Sequence, residues 1–151
     1  MVAVERVLHL DHPMDEVVRY LADFSHTEAW DPGTVSCERI GDGEPSVGAE
    51  WDNVSVFRGR RTELRYRLVR REEDRLTFVG RNRTATSTDD LSFEERAGRT
   101  RLTYRARIDL HGPARLAAPF LKREFERLGD AVSERLPRAV ADALGAPPSS
   151  R

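Results

Sequence analysis

Cysteine, lysine and long apolar runs are what this sequence of 151 residues lacks most visibly. Cys37 is the single cysteine, so no disulfide framework is expected and the fold must rest on its core. No apolar stretch approaches the roughly 18 to 20 residues that span a bilayer. The opening Met1-Val-Ala-Val-Glu-Arg carries charge where a secretory leader is apolar. A soluble, cytoplasmic protein without membrane insertion is therefore expected. Lys122 is the only lysine, all other basic residues being arginine; with abundant alanine, this is the usage of a GC-rich genome such as an actinobacterium's. The histidines do not converge, since His9-x-x-His12 runs from a strand into a turn, and no metal site is expected. The serines lack a nucleophile elbow, and Gly41-Asp-Gly43 lacks the helix start that a phosphate loop requires. No covalent nucleophile, nucleotide or other cofactor is expected.

The length suits one domain with one core, read as residues 1–145 with a frayed tail at 146–151. Net charge is near zero but unevenly spread, with 12 acids against 3 bases over residues 1–57 and 10 arginines against 4 acids over 58–83. An arginine cluster can mark a nucleic-acid surface. Here Glu50, Asp52, Arg65 and Arg67 are expected to pair outward across adjacent strands, which favours a solvated sheet face and no nucleic-acid partner.

Hydrophobic periodicity gives the elements. Residues 2–10 read as a strand; Pro13 suits the start of a short helix whose apolar face is Val17, Val18, Leu21 and Phe24. A second short helical turn runs from His26 to Trp30, and a strand from Val35 to Ile40. From Gly48 to Leu110 the chain alternates almost continuously as strand. Pro113 to Leu144 has helical period, with Leu121, Phe125, Leu128, Val132 and Leu136 on one stripe and Pro119 and Pro137 expected to bound or kink it. At 1.5 Å per residue, residues 119–143 would run ~37 Å, enough to cross a sheet.

A two-residue turn at Arg58-Gly59 pairs Phe57 with Arg60, Asn53 with Leu64 and Trp51 with Tyr66. Carried forward, this sets Tyr66 near Phe78, Phe78 near Ser87, Asp89 near Ala106, Leu91 beside Tyr104 and Phe93 near Leu102. One face then holds Trp51, Asn53, Tyr66, Phe78, Ser87, Asp89 and Tyr104, unless a bulge flips the parity.

The opening strand, Pro13 to Phe24, Asp23-Phe24-Ser25, Trp30-Asp31-Pro32, Gly48-x-x-Trp51, Gly59-Arg60 and Thr100-x-Leu102-x-Tyr104 together resemble the START-like, polyketide cyclase/dehydrase and lipid-transport superfamily over residues 2 to about 143. The resemblance implies an α+β helix-grip fold. Its parts are a seven-stranded antiparallel curved sheet around a long C-terminal helix, two short helices after the first strand, and a hydrophobic cavity between sheet and helix. It also implies a hydrophobic-ligand carrier, a polyketide aromatase or cyclase, a quinone-binding protein or a co-chaperone module, a range that fold alone does not narrow.

Asp89 is the sharpest candidate for chemistry, because an aspartate desolvated among Leu76, Leu91 and Ala106 should have its pKa raised towards acid/base use. The alternatives are a structural hydrogen bond at the sheet edge, or a bulge that turns Asp90 inward instead. Tyr66 and Tyr104 offer phenols to orient a carbonyl or stabilise an enolate, or else simply fill the core. Asn53 and Ser87 add neutral polarity, Trp51 and Phe78 a wall, Leu121 and Phe125 the helix side of the cleft. Trp30 reads as an entrance or packing residue. The expected function is binding of a small hydrophobic ligand such as a lipid, polyketide or isoprenoid-like compound. The alternatives are a cyclase/aromatase or dehydratase that uses Asp89, Tyr66 and Tyr104, and an interaction module that holds an acidic partner. A monomer and a homodimer both fit.

Overall fold

The computed structural model describes residues 1–57 and 59–145. Arg58 of the expected turn and the tail at 146–151 lie outside the described residues. Seven strands form one antiparallel sheet in the order β1-β7-β6-β5-β4-β3-β2. They are β1 (Val2–Leu10), β2 (Thr34–Ile40), β3 (Glu50–Phe57), β4 (Arg60–Glu72), β5 (Arg75–Arg81), β6 (Ala85–Arg96) and β7 (Arg99–Leu110). Helix α1 (Met14–Leu21), a 3-10 turn (Phe24–His26) and α2 (Thr27–Trp30) follow β1. A second 3-10 segment (Gly112–Ala117) leads into the long helix α3 (Ala118–Leu144). The sheet is curved, and the fold is the helix grip expected above.

Local chemistry explains the helices. Pro13 stands at the N-cap of α1, one position before the helix, with Asp15 and Glu16 in the first turn and Arg19 in the last, charges that complement the helix dipole. Its buried face is Val17, Val18 and Leu21. In α3, Pro119 occupies the first turn, where its missing N–H costs nothing. Pro137 lies inside a helix that continues to Leu144, so it neither starts nor ends the element.

The β3–β4 hairpin has the expected register, with Phe57 opposite Arg60, Asn53 opposite Leu64 and Trp51 opposite Tyr66. Leu91–Tyr104, Phe93–Leu102 and Asp89–Ala106 also pair as expected. Two pairings differ by two residues. Tyr66 faces Gly80, and Phe78 faces Leu68 on one side and Asp89 on the other. One cause is the place where β4 turns, with Glu72 opposite Arg75; a bulge between Leu68 and Arg70 then takes up Val69 and keeps Leu68 and Phe78 pointing inward together. The other is the β5–β6 turn, where the Asn82 side-chain carbonyl accepts from the Thr84 and Ala85 amides and so fixes a longer connection. The inward face keeps its parity: Trp51, Leu68, Leu76, Phe78, Leu91 and Leu102 are fully buried. On the outer face Arg65 pairs with Asp52 at 2.8 Å and more loosely with Glu50 at 3.9 Å.

Helix α3 packs on the edge strand β1, most closely at Gly129. Gly129 crosses β1 so closely that a Cβ there would sit 2.8 Å from Val4 Cγ2. The Arg6 guanidinium passes beside it to Glu126 Oε2 at 2.7 Å and Asp130 Oδ1 at 3.0 Å. Glycine is poor in a helix interior, by about 1 kcal/mol against alanine, but only glycine permits this approach. Gly129→Leu is expected to lower stability by about 1 to 3 kcal/mol through overpacking, which urea unfolding would measure.

Candidate functional site

Between the inner sheet face and the first turns of α3 lies a cavity of ≈ 200 Å³. Its roof is Leu121, Phe125 and Leu128; its apolar floor includes Phe57, Leu64, Ala106, Ile108 and Leu110. Its polar residues are Asp31, Ser55, Thr62, Tyr66, Thr84, Ser87, Asp89 and Tyr104, of which Asp31 and Asp89 are the two acids. Sheet alternation brings Tyr66, Ser87, Asp89 and Tyr104 to this wall from β4, β6 and β7. A larger groove of ≈ 880 Å³ lies between α1 and the β2–β3 connection. It is more open to solvent than the smaller cavity, and its Arg71 is already held by Glu44 and the Pro45 carbonyl.

Of the residues singled out from sequence, Tyr66, Ser87, Asp89, Tyr104, Leu121 and Phe125 line the cavity. Trp51, Asn53 and Phe78 share the sheet face but do not line it. Phe24 from the 3-10 turn covers Trp51 and Phe78: its ring lies 4.4 Å from Phe78, 4.5 Å from Tyr66 and 6.1 Å from Trp51. The Trp51 indole N–H donates to Asp23 Oδ1 at 3.2 Å. Asn53 accepts from the Ser55 hydroxyl at 2.6 Å. Trp30 is buried and meets Tyr104 edge-on at 5.8 Å, as a packing residue behind the cavity wall. Asp90 points to the outer face, where Arg75 grips it with bonds of 3.0 and 2.8 Å, so Asp89 is the inward acid of the pair.

Asp89 is almost fully buried, and its pKa is pushed up to about 8, first by burial and then by the charge of Asp31. The Tyr104 hydroxyl donates to Asp89 Oδ2 at 3.4 Å and offsets part of this. Burial, then Asp89, holds both Tyr66 and Tyr104 well above the ordinary phenol range, so both remain hydrogen-bond donors. The Cys37 thiol is pushed by burial up to about 11 and is unreactive at neutral pH. Among the described residues no group of His, Cys, Asp or Glu could hold a metal ion.

Asp31 is the site residue that sequence reasoning did not select. It sits between α2 and β2, accepts from Thr34 Oγ1 at 2.6 Å and the Gly33 amide at 3.3 Å, and turns its carboxyl to the cavity. Burial raises its pKa, while Thr34, Gly33 and the more distant Arg135 oppose the rise. The Trp30-Asp31-Pro32 motif was the available signal, but loop residues carry no periodicity that would say where the carboxyl points.

Comparison with known proteins agrees with this architecture. The family model described as polyketide cyclase / dehydrase and lipid transport matches residues 1–141. No curated protein matches the sequence significantly. Among solved structures, the fold is similar to that of TTHA0849 from Thermus thermophilus, with a TM-score of 0.78 and 15% identity over 95% of this chain and 99% of that one. It is also similar to the ZhuI aromatase/cyclase from Streptomyces sp. R1128, with a TM-score of 0.71 and 14% identity over 93% and 92% of the two chains. A STAR-related lipid transfer protein from Xanthomonas axonopodis gives a TM-score of 0.71 and 12% identity over 91% and 85%. At such identities the likeness is one of fold.

Proposed function

Because the chain belongs to the polyketide cyclase/dehydrase and lipid transport family, we propose that it binds a small hydrophobic ligand between the sheet and α3. The ligand's single polar region would lie against Asp31, Tyr66, Ser87, Asp89 and Tyr104. One observation carries this reading: a partly enclosed cavity whose predominantly apolar lining includes two acids and two phenols. Such a lining gains about 25 cal/mol per Å² of apolar surface removed from water and uses its few polar groups to orient the ligand. No helix of the described residues is long and apolar enough to cross a membrane.

Native mass spectrometry followed by denaturing extraction tests the reading. A stoichiometric lipid, quinone or polyketide-like compound is the expected result. In titrations with an apolar fluorescent probe, Leu128→Trp is expected to fill the cavity from the roof and weaken binding by about tenfold or more. Probe binding indifferent to that change would place the ligand elsewhere.

A second reading, a cyclase or dehydratase, is favoured by one observation, the Asp89 carboxyl raised to about 8 beside the Tyr104 phenol. A neutral acid that loses its proton near neutral pH suits proton transfer at a β-ketone, with a phenol stabilising the enolate. Turnover of a poly-β-ketone that survived Asp89→Asn, Tyr66→Phe and Tyr104→Phe would remove those roles.

A further inference from the structure

We propose that the cavity selects its ligand by charge, taking a hydrophobic amine in preference to the alcohol of the same chain and rejecting the corresponding carboxylate. This inference rests on the hydrophobic-ligand reading and names the ligand's polar group. Two carboxyl groups, Asp31 and Asp89, line the cavity, and no arginine, lysine or histidine among the described residues does. Their situations differ. Both oxygens of Asp31 are engaged, by Thr34 Oγ1 at 2.6 Å and the Gly33 amide at 3.3 Å, and Arg135 of α3 acts on it from outside the lining. Asp89 is 8% exposed, and its only hydrogen bond among the described residues is the long one from Tyr104 to Oδ2. Among the described residues its Oδ1 has no protein partner, in a cavity that it lines.

The consequences follow from charge in a poorly solvated space. A ligand carboxylate would lie beside two acids with no cation to meet it. It would have to give up its hydration or take up a proton, and either weakens binding. An alcohol can bond to Asp89 or the phenols without either cost. An ammonium supplies the charge-assisted donor that Oδ1 lacks, and such bonds are about twice as strong as neutral ones. It then takes the place of the proton that burial and Asp31 keep on Asp89, so binding releases a proton to solvent. The groups facing Asp89 are Asp31, Tyr66 from β4 and Tyr104 from β7, while the residues of α3 that face the cavity, Leu121, Phe125 and Leu128, carry no charge. Amine binding should therefore tighten as pH rises towards about 8, where Asp89 titrates, and level off above it.

The test is isothermal titration of the whole protein with decylamine, 1-decanol and decanoate at matched ionic strength. At pH 7 decylamine is expected to bind about tenfold more tightly than decanol, and decanoate about tenfold more weakly. Amine titrations in buffers of different ionisation enthalpy should show proton release, a readout that needs no variant. In Asp89→Asn the ratio of amine to alcohol affinity should fall to near one. Decanoate binding as well as decanol, or amine and alcohol binding equally without proton release, overturns the charge selection and leaves the hydrophobic-ligand reading standing. Failure of all three ligands to bind would overturn both.

Discussion

Asp89→Asn is expected to stabilise the protein against urea increasingly as pH rises, with little effect at pH 3 and a gain on the order of 3 to 5 kcal/mol at pH 9. Burial, followed by Asp31, lifts the folded-state value from 3.8 to about 8. Below pH 3.8 the carboxyl is protonated in both states, and its contribution to stability is fully present. Between pH 3.8 and about 8 the unfolded chain ionises while the folded chain holds its proton. The unfolded state then binds fewer protons, and stability falls with rising pH. Above about 8 the folded state ionises as well, and the loss is complete. Asparagine has nearly the same shape, keeps an acceptor for the Tyr104 hydroxyl and has no proton to lose. The difference between the two unfolding curves isolates this residue from the other titrating groups. Asp31→Asn should narrow the window from its upper end, because removal of that charge lowers the Asp89 value. A variant-minus-wild-type difference that stayed flat from pH 3 to pH 9 would contradict the buried, proton-holding carboxyl on which the cavity chemistry depends.

Gly80→Ala is expected to cost about 3 kcal/mol and to reshape the cavity, although residue 80 touches no ligand-facing space itself. A Cβ there would lie 2.6 Å from Tyr66 Cζ and 2.7 Å from both neighbouring ring carbons, well inside van der Waals contact. The Tyr66 ring cannot yield by a small rotation, since Phe24 is packed 4.5 Å from its centroid. It must tip away from β5 into the cavity that it lines, so stability and probe affinity should fall together. Removing the ring removes the conflict. In a Tyr66→Leu background Gly80→Ala should cost less than about 1 kcal/mol, and a double-mutant cycle in urea measures the coupling directly. Equal costs in the two backgrounds would mean that Gly80 acts through backbone freedom alone.

What the sequence discloses, and where it stops, follows from the range of each interaction. The Trp51–Tyr66 pairing was legible because a tight hairpin fixes every later pair by counting. The β4–β5 register was not, because it combines a turn that closes at Glu72–Arg75 with a bulge at Val69, and nothing local announces the pair of them. The same distinction applies to the cavity. Alternation placed Tyr66, Ser87, Asp89 and Tyr104 on the correct face. It could not show that Phe24 would fold over Trp51 and Phe78 and withdraw them from the lining. Asp31 was hidden for a related reason, since only the docking of α2 against the sheet brings that loop opposite β6.

Along α3, the residues that line the cavity and the residues that hold Arg6 and press on Val4 are different ones. Leu121, Phe125 and Leu128 face the empty space, whereas Glu126, Gly129 and Asp130 take the weight of the attachment through Val4 and Arg6. The helix is thus both a rivet and a mould, and the two jobs fall on separate side chains. Exchanging the three moulding residues alters the shape offered to a guest while the Arg6 ion pairs and the Gly129 crossing stay in place. A single scaffold of this kind can be recut for new guests one side chain at a time.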